Sequence, residues 1–465
     1  PALCVRAGAL ALVPMLERAL PRIRFLLRHP FTRDSAVLQI ANVIGKIVGL
    51  AAGILYANLL GPEAFGFYSL AIALAGFLNI FQEFGLSHAL VNLLAKAEAR
   101  ADREELAAVL GYFLKTTVAI SATAGLAGIL AAPALGAWWY GDPLVGYYAA
   151  LGVLTFALTF FVPLVTTLQQ VRRELIPLVF LETGSKVLGA GLIVALVIAG
   201  GGVLGIIGGQ LLIMLGSSVA AAVLYRQWVL ANRAPSLSSL WVTRLPWPKI
   251  SYYFRFGLLI AMSKNILKIN QTVPLLILGA ALPTTSGIGF FKVAFTFVGL
   301  PLVLADPIAR LLNDQFPKTE VAGYDKLFKR YFQVTALTML MELVVLLPAL
   351  LLAPVLLPVL FPAYQPALPL IFALSPYPIL VATGVGLAGM FRTLSRLRVN
   401  VAIQLITLVT LLPTAYWMIS RFAIRGLVIT TLLFTLLPNA LGIAYFVWIK
   451  RRLLPPPAAT LPAAS

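Results

Sequence analysis

Twelve apolar runs, each long enough to cross a lipid bilayer, follow one another along almost the whole chain. A spanning helix needs about 20 mostly apolar residues, because the hydrocarbon core is about 30 Å thick. Only 11% of the residues are charged and 60% are hydrophobic, which a water-soluble fold could not bury. The sequence therefore predicts an all-α integral membrane protein of about twelve helices. The runs lie near 36–59, 66–93, 108–131, 145–168, 177–199, 203–225, 256–280, 287–309, 331–353, 367–390, 399–418 and 427–449.

The basic residues between the runs give the helices a direction. Loops on the side of the amino terminus hold 26 of the 35 Lys and Arg residues, whereas the opposite loops hold only Arg421 and Arg425. Short cytoplasmic loops are enriched in Lys and Arg. We therefore expect both termini of this multi-pass protein to be cytoplasmic.

A basic linker divides the runs six and six. The predicted organisation is a basic cytoplasmic segment, a first lobe, a linker, a second lobe and a cytoplasmic tail, at residues 1–34, 35–226, 227–254, 255–449 and 450–465. Because each half has an even number of spans, the two halves share one orientation, as in the parallel repeats of secondary transporters. We expect two pseudo-symmetric six-helix lobes around a central cavity.

Short matches in register indicate that the two halves are repeats. Gly66-Phe67-Tyr68 recurs as Gly289-Phe290-Phe291, an offset of 223 residues. The same offset carries Glu83 onto Asp306, and an offset of 222 carries Lys46 onto Lys268. Three matches at nearly one offset favour an internal duplication over chance.

Charged residues inside the apolar runs are candidates for function. A charge at the membrane centre costs at least about 2.5–3.5 kcal/mol, so each needs a partner, a water-filled cavity or a role. Long side chains near helix ends, such as Lys115, can reach the headgroups instead. Lys46, Lys186, Lys264 and Lys268 lie roughly 9–13 residues into their runs, too deep for that explanation.

The deep lysines lie among other polar residues at helical spacing. Asn42, Lys46, Gly49 and Gly53 recur three or four residues apart, so they share one face of the first helix. A cavity with more bases than acids attracts an anion, and ammonium groups bind phosphate or diphosphate as point charges. The predicted substrate-binding residues are Asn42, Lys46, Lys186, Lys264, Lys268, Gln271 and Lys292.

Three acids in the runs are candidates for coupling transport to H⁺ or Na⁺: Glu83, Asp306 and Glu342. For Glu83 and Asp306, a purely structural role is an open alternative to ion coupling. Glu83 can hold the bundle together, and Asp306 stands four residues before Arg310, the favourable order for an ion pair. Glu182 and Lys186 have the same four-residue spacing and can partly neutralise each other.

One stretch resembles a known family. Leu59-Leu60-Gly61-Pro62-Glu63-Ala64-Phe65-Gly66-Phe67-Tyr68-Ser69-Leu70-Ala71 resembles the "LGPEEFGLYSLA"-type turn of bacterial polysaccharide flippases. Phe84-Gly85-Leu86-Ser87-His88-Ala89-Leu90 is similar to their "DLGLSSAL" segment, with Glu83 where that family often has Asp. These proteins belong to the multidrug/oligosaccharidyl-lipid/polysaccharide exporter superfamily.

The resemblance implies a function in polysaccharide biosynthesis, of the lipopolysaccharide or exopolysaccharide kind, in a bacterial inner (plasma) membrane. Two lobes would alternate between inward- and outward-open states and move an undecaprenyl-diphosphate-linked oligosaccharide from the inner to the outer leaflet. A polysaccharide polymerase is a candidate partner, besides membrane lipids and a coupling ion.

Other functions stay open from the sequence. A cation-coupled multidrug extruder shares the fold but would need acids in its cavity. A polytopic polymerase or ligase would need a large outer loop with catalytic groups, and a non-transporting lipid-binding scaffold would leave the deep lysines unexplained. With one cysteine and two histidines, the chain has no metal-site pattern. We expect no enzyme activity, no catalytic residue, no cofactor and no nucleic-acid partner.

Overall fold

A computed structural model gives the fold. It describes residues 30–82, 86–243, 246–282, 284–303, 323–394 and 396–453, with single residues between 308 and 319. Their secondary structure is helical, and no β-strand occurs among them. The predicted segments 1–34 and 450–465 lie largely outside the described residues.

Two continuous helices are far longer than one membrane crossing requires. Pro30–Asn79 has 50 residues and Leu397–Leu453 has 57, against about 20 for one span. Each contains one residue with non-helical backbone angles, Gly61 (φ 75°) or Ala423 (φ 48°). Each therefore turns back at that residue and forms two spans.

The described residues form twelve helical spans, as the sequence predicts. Five helical stretches, and seven with the two bent pairs, are long and apolar enough to cross a bilayer. Three of the seven contain two spans each, which gives ten, and the helix Trp247–Ala281 and the shorter apolar helix Ser286–Val298 complete the twelve. We number the spans α1 (30–60), α2 (62–82 and Leu86–Ala99), α3 (103–140), α4 (143–172), α5 (175–199), α6 (Gly202–Leu230), α7 (Trp247–Ala281), α8 (Ser286–Val298 and Pro301–Val303), α9 (Tyr324–Leu360), α10 (368–393), α11 (397–422) and α12 (424–453).

Prolines shape the spans of the second lobe. Helix α9 continues through Pro348, Pro354 and Pro358, which membrane helices tolerate when neighbouring groups satisfy the freed carbonyls. Helix α10 instead bends by 46° between Leu374 and Pro376. The proline-rich stretch therefore places an unbroken helix beside a broken one.

Buried apolar side chains form one core in each lobe and another where the lobes meet. The first lobe packs around Leu94, Leu164 and Tyr225. The second packs around Phe328, Phe391 and Phe446. A third cluster joins Tyr56 and Phe65 of the first lobe to Ile288, Phe291 and Tyr364 of the second. The architecture is thus two six-helix lobes with an apolar interface.

The linker between the lobes is fastened to α3. The Lys115 ammonium donates to the Thr243 carbonyl over 2.6 Å, so this lysine reaches a backbone group of the linker. At the start of α7, Lys249 forms an ion pair with Glu105, and the Tyr253 hydroxyl donates to the same carboxylate. Glu105 therefore joins the start of the second lobe to the first.

Replacing Glu105 by alanine should destabilise the protein by about 1–2 kcal/mol, because the nearly buried Tyr253 hydroxyl loses its acceptor. The Lys249 pair contributes little, since its side chains are partly exposed to water. Thermal unfolding in detergent measures the effect. Glu104→Ala, at the exposed neighbouring position, is the control and should leave the unfolding temperature unchanged.

Candidate functional site

Helix α1 has two exposed faces of opposite character. Ile40 and Ile47 are each 60% exposed on an apolar face that suits lipid. The half-buried Lys46 shares the other face with Gly49 and Gly53, where a Cβ atom would have no neighbouring atom within 4 Å. A lysine inside the membrane needs a partner or water, and the open space beside this face leaves room for water.

Helix α5 brings Lys186 against α1 at Gly45, the residue before Lys46. A Cβ atom at Gly45 would lie 3.3 Å from Cδ and 3.7 Å from Nζ of Lys186. The Thr183 hydroxyl donates to the Ala41 carbonyl over 3.3 Å and fixes the contact of the two helices. Lys46 and Lys186 therefore come from adjacent helices at one level of the bundle.

Glu182 and Lys186, four residues apart in the chain, form no ion pair in the described structure. A π-helical turn at Phe180–Gly184 lies immediately before Lys186. Such a turn holds an extra residue, so it changes the direction of the side chains that follow. Such turns are frequent at functional sites.

One end of the bundle is closed by a reciprocal glycine contact between the lobes. A Cβ atom at Gly66 would lie 1.8 Å from the Thr285 carbonyl oxygen. A Cβ atom at Gly289 would lie 2.2 Å from the Pro62 carbonyl oxygen. Both pairs are related by the 223-residue offset of the repeat, so the duplicated motif forms a pseudo-symmetric contact. We call it the glycine contact.

Three hydrogen bonds reinforce this closed end. The Thr285 hydroxyl donates to the Glu63 carbonyl over 2.8 Å. Asn58 donates to the Leu360 carbonyl over 2.6 Å, and Tyr364 donates to the Ala57 carbonyl over 2.8 Å. All three acceptors are backbone carbonyls across the lobe interface, so this end is specifically held together.

A cavity of about 300 Å³ lies inside the second lobe, bounded by α7, α8, α10, α11 and α12. None of the described residues that line it is acidic. Its aromatic wall includes Phe295, whose ring centroid lies 4.8 Å from that of Tyr377. Besides Tyr377, the polar lining has one base, four amides and two threonine hydroxyls: Lys292, Asn270, Gln271, Gln404, Asn439, Thr431 and Thr435.

Two groups in this cavity lack partners among the described residues. Lys292 forms no ion pair or hydrogen bond through its ammonium group there. Asn270 is only 2% exposed; its amide nitrogen donates to Gln404 over 3.2 Å, but its Oδ1 accepts no hydrogen bond. The cavity thus presents a positive charge and a free acceptor.

Glu342 is a second kind of buried group. It lies within α9, is fully buried, and neither carboxylate oxygen has a hydrogen-bond partner in the described part of the chain. It continues a buried polar stripe on α9 that includes Thr338, Thr335 and Tyr331, at spacings of three and four. A buried carboxylate without partners is costly, so its retention favours a function.

Comparison with known proteins identifies the family of this chain. A sequence profile of the family described as "Polysaccharide biosynthesis protein" matches residues 31–312. The chain belongs to that family. No curated protein matches it.

Solved structures similar to this polysaccharide biosynthesis protein are transporters of the MOP superfamily. A multidrug resistance MATE family transporter in an inward-facing conformation has a TM-score of 0.71 and 18% identity, over 89% of this chain and 98% of that one. An outward-facing MATE structure gives 0.63 and 19%, over 92% and 97%. A MOP superfamily transporter from Pyrococcus furiosus, described by the reverse polarity of its binding pocket, gives 0.59 and 18%, over 92% and 97%. The fold of this multi-pass membrane protein is therefore that of the MOP transporters.

The predicted site residues of this polysaccharide biosynthesis protein lie in several separate places. Lys46 and Lys186 lie at one level of adjacent helices, with the half-buried Asn42 one turn from Lys46. Lys292 and Gln271 line the second-lobe cavity. Lys268 is exposed on α7 and does not line that cavity. Glu83, Asp306 with Arg310, and the Lys264 side chain lie outside the described residues.

Sequence reasoning missed four polar residues of the cavity, Gln404, Thr431, Thr435 and Asn439. They are uncharged residues in apolar runs, and only the charged residues stood out. A weak signal exists in α12, where Thr431, Thr435 and Asn439 recur every four residues on one face. Within the described residues, no group of three or more His, Cys, Asp or Glu side chains could hold a metal ion.

Proposed function

We propose that this protein is a flippase that moves an undecaprenyl-diphosphate-linked oligosaccharide from the inner to the outer leaflet by alternating access. The observation that carries the proposal is that Lys46 and Lys186 lie at one level of two adjacent spans, with Lys186 packed on Gly45, the residue before Lys46. Two ammonium groups at one level of the bundle attract an anion more strongly than a single charge does. A diphosphate bridging a lipid and a glycan supplies that anion, and the family's role in polysaccharide biosynthesis fits it.

The closed end gives the transport direction under this proposal. Basic residues concentrate in the loops opposite the glycine contact, which assigns those loops to the cytoplasm. The glycine contact then lies at the outer surface, and the lysine pair is reached from the cytoplasmic side. The state described here would load cargo from the inner leaflet.

We assign ion coupling to Glu342 among the three candidate acids. It is buried without partners in the described residues, and a proton can neutralise it inside the membrane. Gain and loss of that proton would bias the packing of α9 against α10, which is bent beside it. Glu83 and Asp306 stay candidates from the sequence alone.

A multidrug extruder is the second candidate, because the MATE structures share the fold. Cationic drugs require negative charge where they bind. The second-lobe cavity instead has a lysine and no acid among its described lining residues. Export of cationic dyes by the purified protein, lost in Glu342→Gln, would favour this candidate over the flippase.

Replacing Lys46 or Lys186 by methionine should reduce flipping at least about tenfold, because one charge-assisted contact to phosphate is lost. Liposomes containing the protein and a fluorescent undecaprenyl-diphosphate sugar measure the fraction of lipid that a membrane-impermeant quencher reaches. Lys46→Arg should retain part of the activity. Lys326→Met removes an exposed lysine at the start of α9 and is the matched control. Full activity in both methionine variants would contradict the proposal.

A further inference from the structure

The cavity of the second lobe is separate from the lysine pair of the first and has its own chemistry. Its walls come from five helices of one lobe, and Lys46 and Lys186 are not among its lining residues. Its volume of about 300 Å³ is at the lower end of the usual range for ligand sites, about 300–1,000 Å³. It can hold a single sugar, and it is too small for a whole lipid-linked glycan.

We propose that this cavity binds one anionic sugar, a pyranose that bears a carboxylate. The ammonium of Lys292 supplies the charge that such a group needs, and it meets no carboxylate among the described residues of the protein. A buried ammonium without a counter-ion is unfavourable, so a bound carboxylate would lower the free energy of the site. The same ammonium excludes cations.

The neutral polar groups indicate hydroxyl groups on the ligand. Asn270 is held by its bond to Gln404, and its unpartnered Oδ1 requires a hydrogen-bond donor. The hydroxyls of Thr431 and Thr435 donate to carbonyls of their own helix, so their oxygens remain acceptors. A ligand that donates several hydrogen bonds and carries one negative charge fits this set, whereas inorganic phosphate at neutral pH donates few.

The apolar wall fits the remaining surface of a sugar ring. Phe291 stacks on Phe295 with centroids 5.8 Å apart, and Phe295 contacts Tyr377, so three rings form one continuous surface. The C–H face of a pyranose can pack there, as apolar walls with few placed polar groups are typical of small-molecule sites. The choice of a sugar rests on the proposed function; the charge and hydrogen-bonding requirements come from the cavity itself.

Calorimetric titration of the purified full-length protein in detergent tests the proposal, with glucuronate, glucose and inorganic phosphate as probes. Glucuronate should bind at least about tenfold more tightly than either of the others. Lys292→Met should lose that preference. Asn270→Asp should also lose it, because the new carboxylate lies in the same cavity and repels the carboxylate of the ligand.

Lys326→Met is the matched control and should bind glucuronate as the unaltered protein does. Each variant's unfolding temperature is measured first, and Asn270→Asp, which adds no bulk, keeps the test valid if Lys292→Met is unstable. The proposal would be overturned if glucose or phosphate bound as tightly as glucuronate. It would also be overturned if both Lys292→Met and Asn270→Asp bound glucuronate as the unaltered protein does. Binding is measured without flipping. A protein that flips lipid-linked glycan but ignores glucuronate therefore contradicts only this inference, and one that binds glucuronate but does not flip contradicts only the proposed function.

Discussion

Replacing Gly66 by alanine is expected to stop transport, although it adds only one methyl group. The new Cβ would lie 1.8 Å from the Thr285 oxygen and 2.7 Å from its carbonyl carbon. Both are backbone atoms at a helix start, so they cannot rotate away as a side chain can. Overpacking of this kind costs about 1–3 kcal/mol or more, which shifts the equilibrium between closed and open ends by about 5–150-fold.

The reciprocal change, Gly289→Ala, should have the same effect, because its Cβ would lie 2.2 Å from the Pro62 oxygen. Gly76→Ala is the matched control: it lies on the same helix as Gly66, and its Cβ would have no neighbour within 4 Å. Liposome flipping measures activity. Labelling of Gly53→Cys by an impermeant maleimide, in a Cys4→Ser background, reports which end is open. Normal flipping in both alanine variants would show that the glycine contact is not needed.

Replacing Glu342 by glutamine or leucine is expected to make the protein more stable and to abolish coupled transport. A fully buried carboxylate whose two oxygens have no described partners costs free energy in the folded state. Leucine removes that cost, for a gain of about 1–3 kcal/mol. Transport driven by an imposed proton gradient should fall to background in both variants, since neither side chain can carry a proton.

The control for Glu342 is Thr338→Val, one turn away on the same buried stripe. Thr338 is equally buried, but its hydroxyl is bonded to the Val334 carbonyl, so its loss should change stability little and leave transport intact. Thermal unfolding in detergent and flipping in liposomes give the two measurements. A destabilised Glu342→Leu variant, or one with normal coupled transport, would show that the carboxylate is structural.

The sequence alone was sufficient for the spans and the duplication. Crossing a bilayer depends on the length of an apolar segment, a local property, so twelve runs predicted twelve helices. The repeat was visible as Gly66 and Gly289 at an offset of 223 residues. The role of the two glycines was not visible, because only the packed lobes bring them into contact. Gly66 then meets the carbonyl of Thr285, four residues before Gly289, and Gly289 meets the carbonyl of Pro62, four residues before Gly66.

The grouping of the polar residues was decided by tertiary structure. A residue in a regular helix is rotated about 100° from the next, so one extra residue in a turn redirects every side chain after it. The π-helical turn at Phe180–Gly184 directly precedes Lys186, which packs on Gly45, and neither composition nor spacing predicts such a turn. The chain reversal at Ala423 is hidden for a similar reason, since alanine rarely has a positive φ.

The structure places apart several lysines that the sequence analysis had grouped together. Lysines that looked like one basic interior lie in separate places. Lys46 and Lys186 are at one level of α1 and α5, Lys268 is exposed on α7, and Lys292 lines the second-lobe cavity. Which side chains share a cavity depends on how helices from distant parts of the chain pack, and charge counts carry no such information. The sequence determined that this protein spans a membrane as two repeated halves; the packing of those halves decided which charges can meet a ligand, because depth and direction are set by neighbouring helices and not by the segment itself.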